Sequence, residues 1–356
     1  MSSSPEVRLR RILVKEPNWL GDLVMSLPAL GALRRAFPDA ELAVLVKQEL
    51  AGFFDGLRWL DRVIPYRIRS GFDGVADRWR VISTIRAGGY DLAVLFPKSF
   101  QSALWVTIAG VPRRAGFAAQ GRGPLLTHAA RPARDPQGRH QKNDYLEMLR
   151  DAVGIETSGE DATLEVAEPR RGSMREWLAN RRRRAHAPLV ALAPAAAYGP
   201  AKEWPADRYA RLIDCLEETA GAECVLVGTT SERAKCAEIA AASRIGAIVA
   251  AGETDVGDLV ALLSLCRGFV GNDSGAMHVA GALGLPTVGI FGSTRPDRTG
   301  PLGPRTRVLY ERIECSPCFA RTCRFGHYDC LKRISVEHAL EALESVGGAP
   351  GGVAFR

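Results

Sequence analysis

Four polar or flexible residues follow an apolar, strand-like run: Asn272, Asp273, Ser274 and Gly275. A side-chain oxygen of Asp273 or Ser274 can cap the first turn of a following helix, and Gly275 lets a ligand approach the backbone closely. Unpaired N–H groups and the helix dipole at such a start favour a phosphate, and His278 lies one turn further along. The pattern predicts an anion site, although an ordinary capped helix has the same sequence.

The loop after the apolar run at residues 189–193 is a second candidate. In open parallel sheets, ligands bind at the carboxyl ends of the strands, where this loop would lie. Glycine and proline shape the loop, and Lys202 within it supplies a compact positive charge that suits a diphosphate. The alternative is an ordinary surface lysine.

A carboxylate at the first strand–helix turn is the third candidate. Gly21 and Asp22 follow the apolar run at residues 11–15. At the carboxyl edge of a sheet, Asp22 could act as a general base on a hydroxyl group. It could equally be only a helix N-cap, because both roles use the same oxygens.

Four of the eight cysteines form a compact C-x2-C-x4-C-x6-C cluster: Cys315, Cys318, Cys323 and Cys330. A small zinc or iron–sulfur knuckle could use such spacing, but paired or redox-active thiols and unlinked thiols remain open. The other four, at positions 215, 224, 236 and 266, lie in apolar runs and are expected in the core.

The candidate residues lie in a sequence in which apolar, strand-like runs alternate with helical patterns. This alternation predicts doubly wound parallel α/β architecture, which restarts after a joint near residues 175–187. We therefore expect two Rossmann-like domains facing a central cleft, at residues 1–175 and 186–334, with a C-terminal helix and tail at 335–356. Residues 118–142 are expected to be a loop, and the helix containing Pro28 should either kink there or restart with Ser26 as its N-cap.

Composition narrows the class of protein. The 356 residues are 46% hydrophobic and 24% charged, as in globular proteins, with a formal net charge of +7. No apolar stretch is long enough to span a bilayer, and residues 1–11 lack the apolar core of a signal peptide. These features predict a cytoplasmic protein. The arginine run at 181–184 is expected to be a solvated helix end or linker.

Several chemistries are disfavoured. The first loop has one glycine and no G-x-G-x-x-G, which argues against a nicotinamide dehydrogenase. Aromatic residues make up only 7% of the chain and are scattered, which argues against a nucleic-acid-binding protein. No D-x-D motif follows a strand, so a sugar transferase that holds its diphosphate through a divalent metal is also disfavoured. We expect no cofactor and no catalytic metal.

Three segments, in order, resemble the ADP-heptose:lipopolysaccharide heptosyltransferases of glycosyltransferase family 9. They are Asn18-Trp19-Leu20-Gly21-Asp22 with Ser26-Leu27-Pro28-Ala29-Leu30, then Gly199-Pro200-Ala201-Lys202-Glu203-Trp204-Pro205, then Gly271-Asn272-Asp273-Ser274-Gly275-Ala276-Met277-His278. The cysteine cluster is also similar to one in many heptosyltransferase II sequences. The resemblance extends from about residue 11 to 346. It implies a GT-B fold and an inverting reaction that needs no metal, with the nucleotide sugar on the C-terminal domain and the acceptor on the N-terminal one.

The resemblance also implies roles for individual residues. Asp22 corresponds to the general base, which takes a proton from an acceptor heptose or Kdo hydroxyl. Lys202 corresponds to the lysine that holds the phosphates of ADP-heptose. Asp273 corresponds to a contact with the transferred sugar, and Glu232 to a ribose-binding glutamate. The diphosphate cradle corresponds to Ser274, Gly275 and His278.

The implied activity is transfer of L-glycero-D-manno-heptose to the inner core of lipopolysaccharide, with the second heptose added to heptose I. The alternatives are a heptosyltransferase I acting on Kdo-lipid A and a GT-B enzyme that uses another nucleotide sugar. The basic charge suits peripheral contact with the inner membrane surface, with Arg113, Arg114 and Arg122 as candidates for the acidic acceptor. Ala197 and Tyr198 depart from the family, where some relatives carry small hydroxyl residues.

Overall fold

The computed structural model describes residues 9–132, 138–157 and 162–347. Within these ranges the chain forms two compact units. The first consists of residues 9–132 and 141–157, and the second of residues 138–140 and 162–347. None of the helices in the described ranges is long and apolar enough to cross a membrane.

The first unit has one parallel sheet of six strands. In chain order the strands are β1 Arg11–Lys15, β2 Glu41–Lys47, β3 Arg62–Tyr66, β4 Leu92–Leu95, β5 Arg113–Phe117 and β6 His128–Ala130. Their order in the sheet is β3-β2-β1-β4-β5-β6, which is the Rossmann order. The helices are α1 Leu20–Ala36, α2 Phe72–Gly88, α3 Phe100–Ile108 and α4 Lys142–Val153, with 3-10 turns at Gln48–Phe54 and Gly123–Leu125.

The second unit repeats this topology. Its strands are β7 Leu189–Ala193, β8 Glu223–Leu226, β9 Ile248–Val249, β10 Gly268–Asn272, β11 Thr287–Phe291 and β12 Thr306–Tyr310, in the order β12-β11-β10-β7-β8-β9. The helices are α5 Glu168–Ala179, α6 Ala206–Ala220, α7 Arg233–Ala242, α8 Val256–Ser264, α9 Gly275–Ala282, α10 Pro296–Thr299, α11 Asp329–Lys332 and α12 Val336–Gly347. Short 3-10 turns lie at Pro200–Lys202 and Thr230–Glu232.

Both sheets confirm the predicted fold class. Central strands such as β1 and β10 are buried almost throughout, because parallel sheets are covered by helices on both faces. Three strands were not predicted, namely β5, β6 and β12. The expectation of a loop over residues 118–142 was wrong in part, since it contains β6 and a 3-10 turn and ends where α4 begins.

Helix α1 passes through Pro28 without ending. The expected restart at Ser26 was wrong, because the Ser26 hydroxyl donates to Glu16 Oε2 at 2.9 Å and to the Leu23 carbonyl at 2.8 Å. Residues 23–30 of this helix are all buried. Burial of a whole turn on each side of the proline offsets the lost backbone hydrogen bond.

The boundary between the units differs from the sequence-based one. Helix α5 belongs to the second unit, where Arg170 binds Asp255 and Asp258 at the start of α8. The C-terminal helix α12 is not a separate appendage, because Val336 and Leu343 are part of the second core.

Two expectations concern arginines. The run at 181–184 follows the end of α5 and is largely exposed, as expected, and its side chains also form ion pairs; for example, Arg182 binds the buried Glu223 at 2.9 Å. Arg122 is fully buried and cannot be a surface contact for an acceptor. Its guanidinium donates to the carbonyls of Phe117 and Ser99 at 2.8 and 3.2 Å, and burial lowers its pKa to about 10.

Candidate functional site

The candidate anion site of the second unit lies at the carboxyl edge of its sheet. Strand β10 pairs with β7 on one side and β11 on the other, with Gly271 opposite Ala193 and Asn272 opposite Ile290. The loops after these three strands therefore start side by side. Asn272 joins two of them, because its Oδ1 accepts from the Trp204 backbone N–H at 3.0 Å.

Lys202 and Asp273, predicted separately from two segments, form an ion pair. Lys202 Nζ lies 2.5 Å from Asp273 Oδ2, and both side chains are largely buried. The hydroxyl of Thr294, in the loop after β11, donates to the same oxygen at 2.7 Å. Three loops thus converge on one carboxylate, which holds the lysine in place at the start of α9.

The start of α9 keeps its N–H groups available. Ser274 occupies the N-cap position, but no side chain within the described ranges caps the helix, so the expected capping by Asp273 or Ser274 was wrong. Ser274 Oγ is buried and has no hydrogen-bond partner in the described part of the chain. An unpaired buried hydroxyl is costly, and together with the open helix start it favours a bound anion.

His278 lies beneath this helix start as a neutral ring. Burial is the main reason that its pKa falls to about 4, although the nearby Asp273 carboxylate opposes the shift. Its Nε2 is 3.9 Å from Asp273 Oδ1. Its Nδ1 is buried and unpaired among the residues that the structure describes, so the ring has a polar atom free for a further partner.

Glu232 ends the 3-10 turn Thr230–Glu232 and is the N-cap residue of α7, on the same sheet edge after β8. Its Oε2 accepts from the Thr229 backbone N–H at 2.7 Å, as part of a capping box. The side chain is partly exposed. The predicted ribose contact stays a prediction, and it would have to involve a carboxylate that already caps a helix.

The cysteine-rich segment supports the loops of the anion site. The Ala201 N–H donates to the Arg321 carbonyl at 3.0 Å, and the Phe319 N–H donates to the Ser293 carbonyl at 2.8 Å. Ser316 Oγ donates to the Gly292 carbonyl at 2.6 Å. The segment therefore fixes both the Lys202 loop and the loop that carries Thr294.

Tyr198, which departs from the family pattern, joins this support to the lysine. Its hydroxyl donates to the Phe319 carbonyl at 2.6 Å. Its ring centroid lies 5.0 Å from Lys202 Nζ and 5.3 Å from the guanidinium carbon of Arg321. The aromatic ring thus lies close enough to both cations for cation–π attraction.

All eight cysteines lie in the described ranges and are free thiols. Cys315, Cys318, Cys323 and Cys330 line one small cavity together with His327. Backbone N–H groups, including those of residues 325–328, lower the pKa of Cys323, whereas burial raises that of Cys330 to about 11. No three His, Cys, Asp or Glu side chains within the described ranges are arranged to hold a metal ion.

In the first unit, Asp22 lies at the carboxyl edge of β1. It belongs to the first turn of α1, whose N-cap is Trp19, so the alternative of Asp22 as an N-cap was wrong. Gln141 Nε2 donates to Asp22 Oδ1 at 2.8 Å. The side chain is partly exposed.

Sequence reasoning missed the residues around Asp22. Gln141 also donates to the Tyr145 hydroxyl at 3.2 Å, and burial, followed by the charge of Asp22, raises the pKa of Tyr145. Gln141 immediately precedes α4, more than 100 positions from Asp22. Only the amphipathic pattern of α4 signals that this helix packs on α1, and it does not identify the glutamine.

Buried ionisable groups also lie at the carboxyl end of β1. Burial raises the pKa of Glu16 to about 8 and lowers that of Lys15 to about 7. Lys15 Nζ lies 3.3 Å from Asn18 Oδ1, to which the Tyr66 hydroxyl donates at 3.1 Å. These contacts fix the loop that leads to Asp22.

A cavity of about 550 Å³ opens beside that loop. Its lining includes the basic side chains of Lys47 and Arg67, and Lys47 pairs with the acidic Glu49 of the same lining at 3.4 Å. Asn18 and Gln101 add polar groups, and Trp105 adds an aromatic surface. The same unit thus carries a carboxylate and a polar cavity of the size that small-molecule sites have.

Two Rossmann-type units in one chain are the architecture of the GT-B class of glycosyltransferases; here the second unit has a candidate anion site at a helix start, and the first has a carboxylate at its first strand–helix turn. Residues 78–329 match the sequence profile of glycosyltransferase family 9 (heptosyltransferase), and the chain belongs to this family.

Three relatives illustrate the similarity. Lipopolysaccharide heptosyltransferase 2 of Salmonella typhimurium is 30% identical, over 94% of this chain and 98% of its own length. The structure of the Escherichia coli ADP-heptose lps heptosyltransferase II superposes with a TM-score of 0.81 at 28% identity, covering 95% of this chain and 98% of that one. Lipopolysaccharide heptosyltransferase 1 of Pseudomonas aeruginosa is 26% identical, over 96% of this chain and 99% of its own length.

The packing of the cysteine-rich segment on the Lys202 loop predicts that Gly199→Ala destabilises the second unit. Gly199 has φ +139°, and an added Cβ would lie 2.6 Å from the Arg321 carbonyl oxygen. We expect a loss of roughly 1–3 kcal/mol in the free energy of unfolding, measured with urea. The control is Gly172→Ala in α5, where a Cβ meets nothing within 4 Å. An equal effect of the two substitutions would contradict the predicted clash.

Proposed function

We propose that this enzyme moves L-glycero-D-manno-heptose from ADP-heptose to the inner core of lipopolysaccharide, with inversion at the anomeric carbon. The observation that carries the proposal is the Lys202–Asp273 pair at the uncapped start of α9, in a family whose similar members are named for heptose transfer. The preferred acceptor is heptose I of the core, since the relatives at 30% identity bear the name heptosyltransferase 2.

The second unit binds the nucleotide sugar in this proposal. Lys202 and the N–H groups at Ser274 and Gly275 hold the diphosphate, where negative charge grows as ADP leaves. His278 offers its unpaired ring nitrogen to the same group. Asp273 orients Lys202 and contacts the sugar.

Glu232 is the proposed contact to the ribose. It is partly exposed at the start of α7, after β8. Its Oε2 already accepts from a backbone N–H, so the ribose hydroxyls would use its other oxygen.

Asp22 is the proposed base. One carboxylate oxygen takes the proton of the acceptor hydroxyl as that oxygen attacks the anomeric carbon. The bond between this carbon and the diphosphate oxygen breaks, and its electron pair leaves with ADP. Gln141 donates to Asp22 Oδ1 and thereby helps to fix the orientation of the carboxylate.

The acceptor lies on the first unit in this proposal. Lys47 and Arg67 line the cavity next to the Asn18 loop and can bind the phosphates or Kdo carboxylates of a lipopolysaccharide core. The Trp105 ring beside them offers a face for a sugar. Because such an acceptor is lipid-anchored, we place the reaction in the cytoplasm at the inner face of the membrane.

Replacement of Asp22 by asparagine is expected to lower kcat by about 10²- to 10⁴-fold, because an amide cannot take the proton. The affinity for ADP should stay within about twofold, since Asp22 belongs to the other unit. Asp207→Asn is a matched control, because Asp207 is also an acidic residue in the first turn of a helix. Full activity of Asp22→Asn in a coupled ADP-release assay would refute the assignment of the base.

Replacement of Lys202 by methionine is expected to weaken ADP binding by roughly 10- to 100-fold, the loss of a charge-assisted hydrogen bond. The substitution also leaves the buried Asp273 carboxylate without its cation, and this unpaired negative charge repels a diphosphate. Titration calorimetry with ADP measures the change, and the exposed Lys332 provides the control as Lys332→Met. Unchanged affinity for ADP would remove Lys202 from the phosphate site.

The acceptor step is tested with two purified cores and ADP-heptose. We expect transfer to Kdo-lipid A that carries one heptose, and at least tenfold slower transfer to Kdo-lipid A without heptose. The opposite preference would make the enzyme a heptosyltransferase I, the activity named for the Pseudomonas aeruginosa relative. Release of nucleotide from another nucleotide sugar at a higher kcat/KM would reject heptose as the substrate.

A further inference from the structure

Helix α2 presents an apolar face away from the core. Phe72, Val75 and Trp79 are 96%, 52% and 54% exposed. Their spacing of three and four residues places them on one side of the helix. Val81 and Ile85 point into the core of the first unit, so the exposed residues are a second apolar face rather than the packed one.

Two further exposed aromatic residues lie at the starts of other helices of the first unit. Trp19 and Phe100, which are 66% and 46% exposed, stand at the starts of α1 and α3, as Phe72 does at the start of α2. These helices follow β1, β3 and β4, which are parallel and therefore end at one edge of the sheet. Asp22 lies at that same edge, three residues after Trp19.

Basic residues accompany the apolar face. Residues 67–86 contain five arginines and two aspartates. Arg69 and Arg80 bind Asp77 at 2.9 and 2.5 Å. Arg69 also binds Asp73, so both aspartates of the segment are paired with arginines of the same segment. The segment keeps a net positive charge beside the exposed aromatic residues.

We propose that these five residues, Trp19, Phe72, Val75, Trp79 and Phe100, form a docking surface for an anionic lipid bilayer. Exposed aromatic side chains on a helix flanked by arginines are the features with which interfacial helices enter the headgroup region. Arginines attract the negative surface of anionic lipids over about a Debye length. Trp19, Phe72 and Phe100 lie at helix starts on the sheet edge that carries Asp22, so docking would bring that edge towards the membrane.

The proposal rests on the proposed function in one respect only: docking would bring the enzyme to a lipid-anchored acceptor. Binding to lipid needs neither ADP-heptose nor lipopolysaccharide, so it is measured separately. The full chain is sedimented with vesicles of phosphatidylethanolamine and phosphatidylglycerol, and with vesicles of phosphatidylcholine alone. We expect binding to the anionic vesicles, at least tenfold weaker binding to the neutral ones, and weaker binding at high salt.

The double variant Phe72→Ser with Trp79→Ser removes the two large side chains of α2. It should bind the anionic vesicles at least tenfold more weakly, because burial of each aromatic side chain contributes about one order of magnitude or more. Phe325→Ser is the matched control, since Phe325 is an exposed aromatic residue of the other unit, and it should bind as the unchanged protein does. An unchanged thermal transition verifies that the double variant is folded.

Activity then separates docking from catalysis. The double variant should keep its rate on a lipid-free core oligosaccharide and lose at least tenfold on an acceptor embedded in vesicles. Undiminished vesicle binding by the double variant would overturn the proposal. It would also be overturned if the unchanged protein ignored vesicles and instead formed dimers that the double variant could not form, since the face would then bind a second copy of this chain.

Discussion

A lysine and an aspartate from distant parts of the second unit form the contact on which its site depends. Because Lys202 and Asp273 are both largely buried, each would be costly alone, and their pairing makes both tolerable. The pair also neutralises the aspartate that would otherwise repel a diphosphate. Thr294 adds a hydrogen bond from a third loop, so the charges that meet a ligand are positioned before it arrives and need little reorganisation.

The loops around this pair are held from outside the Rossmann topology. The segment that contains the cysteine cluster follows β12 and returns to the carboxyl edge, where its carbonyls and N–H groups bond to the loops of Lys202 and Thr294. Tyr198 reinforces the junction with a hydrogen bond and with two cations close to its ring. The Rossmann sheet provides the carboxyl edge, and this additional segment fixes the conformation of the loops at that edge.

Local sequence patterns predicted most of the architecture and that Asp22, Lys202 and Asp273 lie at the carboxyl edges of their respective sheets. Continuous apolar runs marked the central strands because these are buried on both faces. Strand β5 was missed because its first two residues are arginines; the side chain of the second, Arg114, donates to the carbonyls of Val111 and Leu125. Gln141 and the buried Arg122 could not be identified either, because their partners are distant in sequence and no periodicity encodes a hydrogen bond.

The neutral histidine beneath α9 has a thermodynamic consequence. A diphosphate seated at that helix start would stabilise the imidazolium form of His278 and raise its pKa from about 4. Binding would then be linked to proton uptake, with affinity that increases as the solution becomes more acidic, and departure of the nucleotide would return the proton. If the proposed donor site is right, nucleotide exchange would thus couple the exchange of an anion to that of a proton.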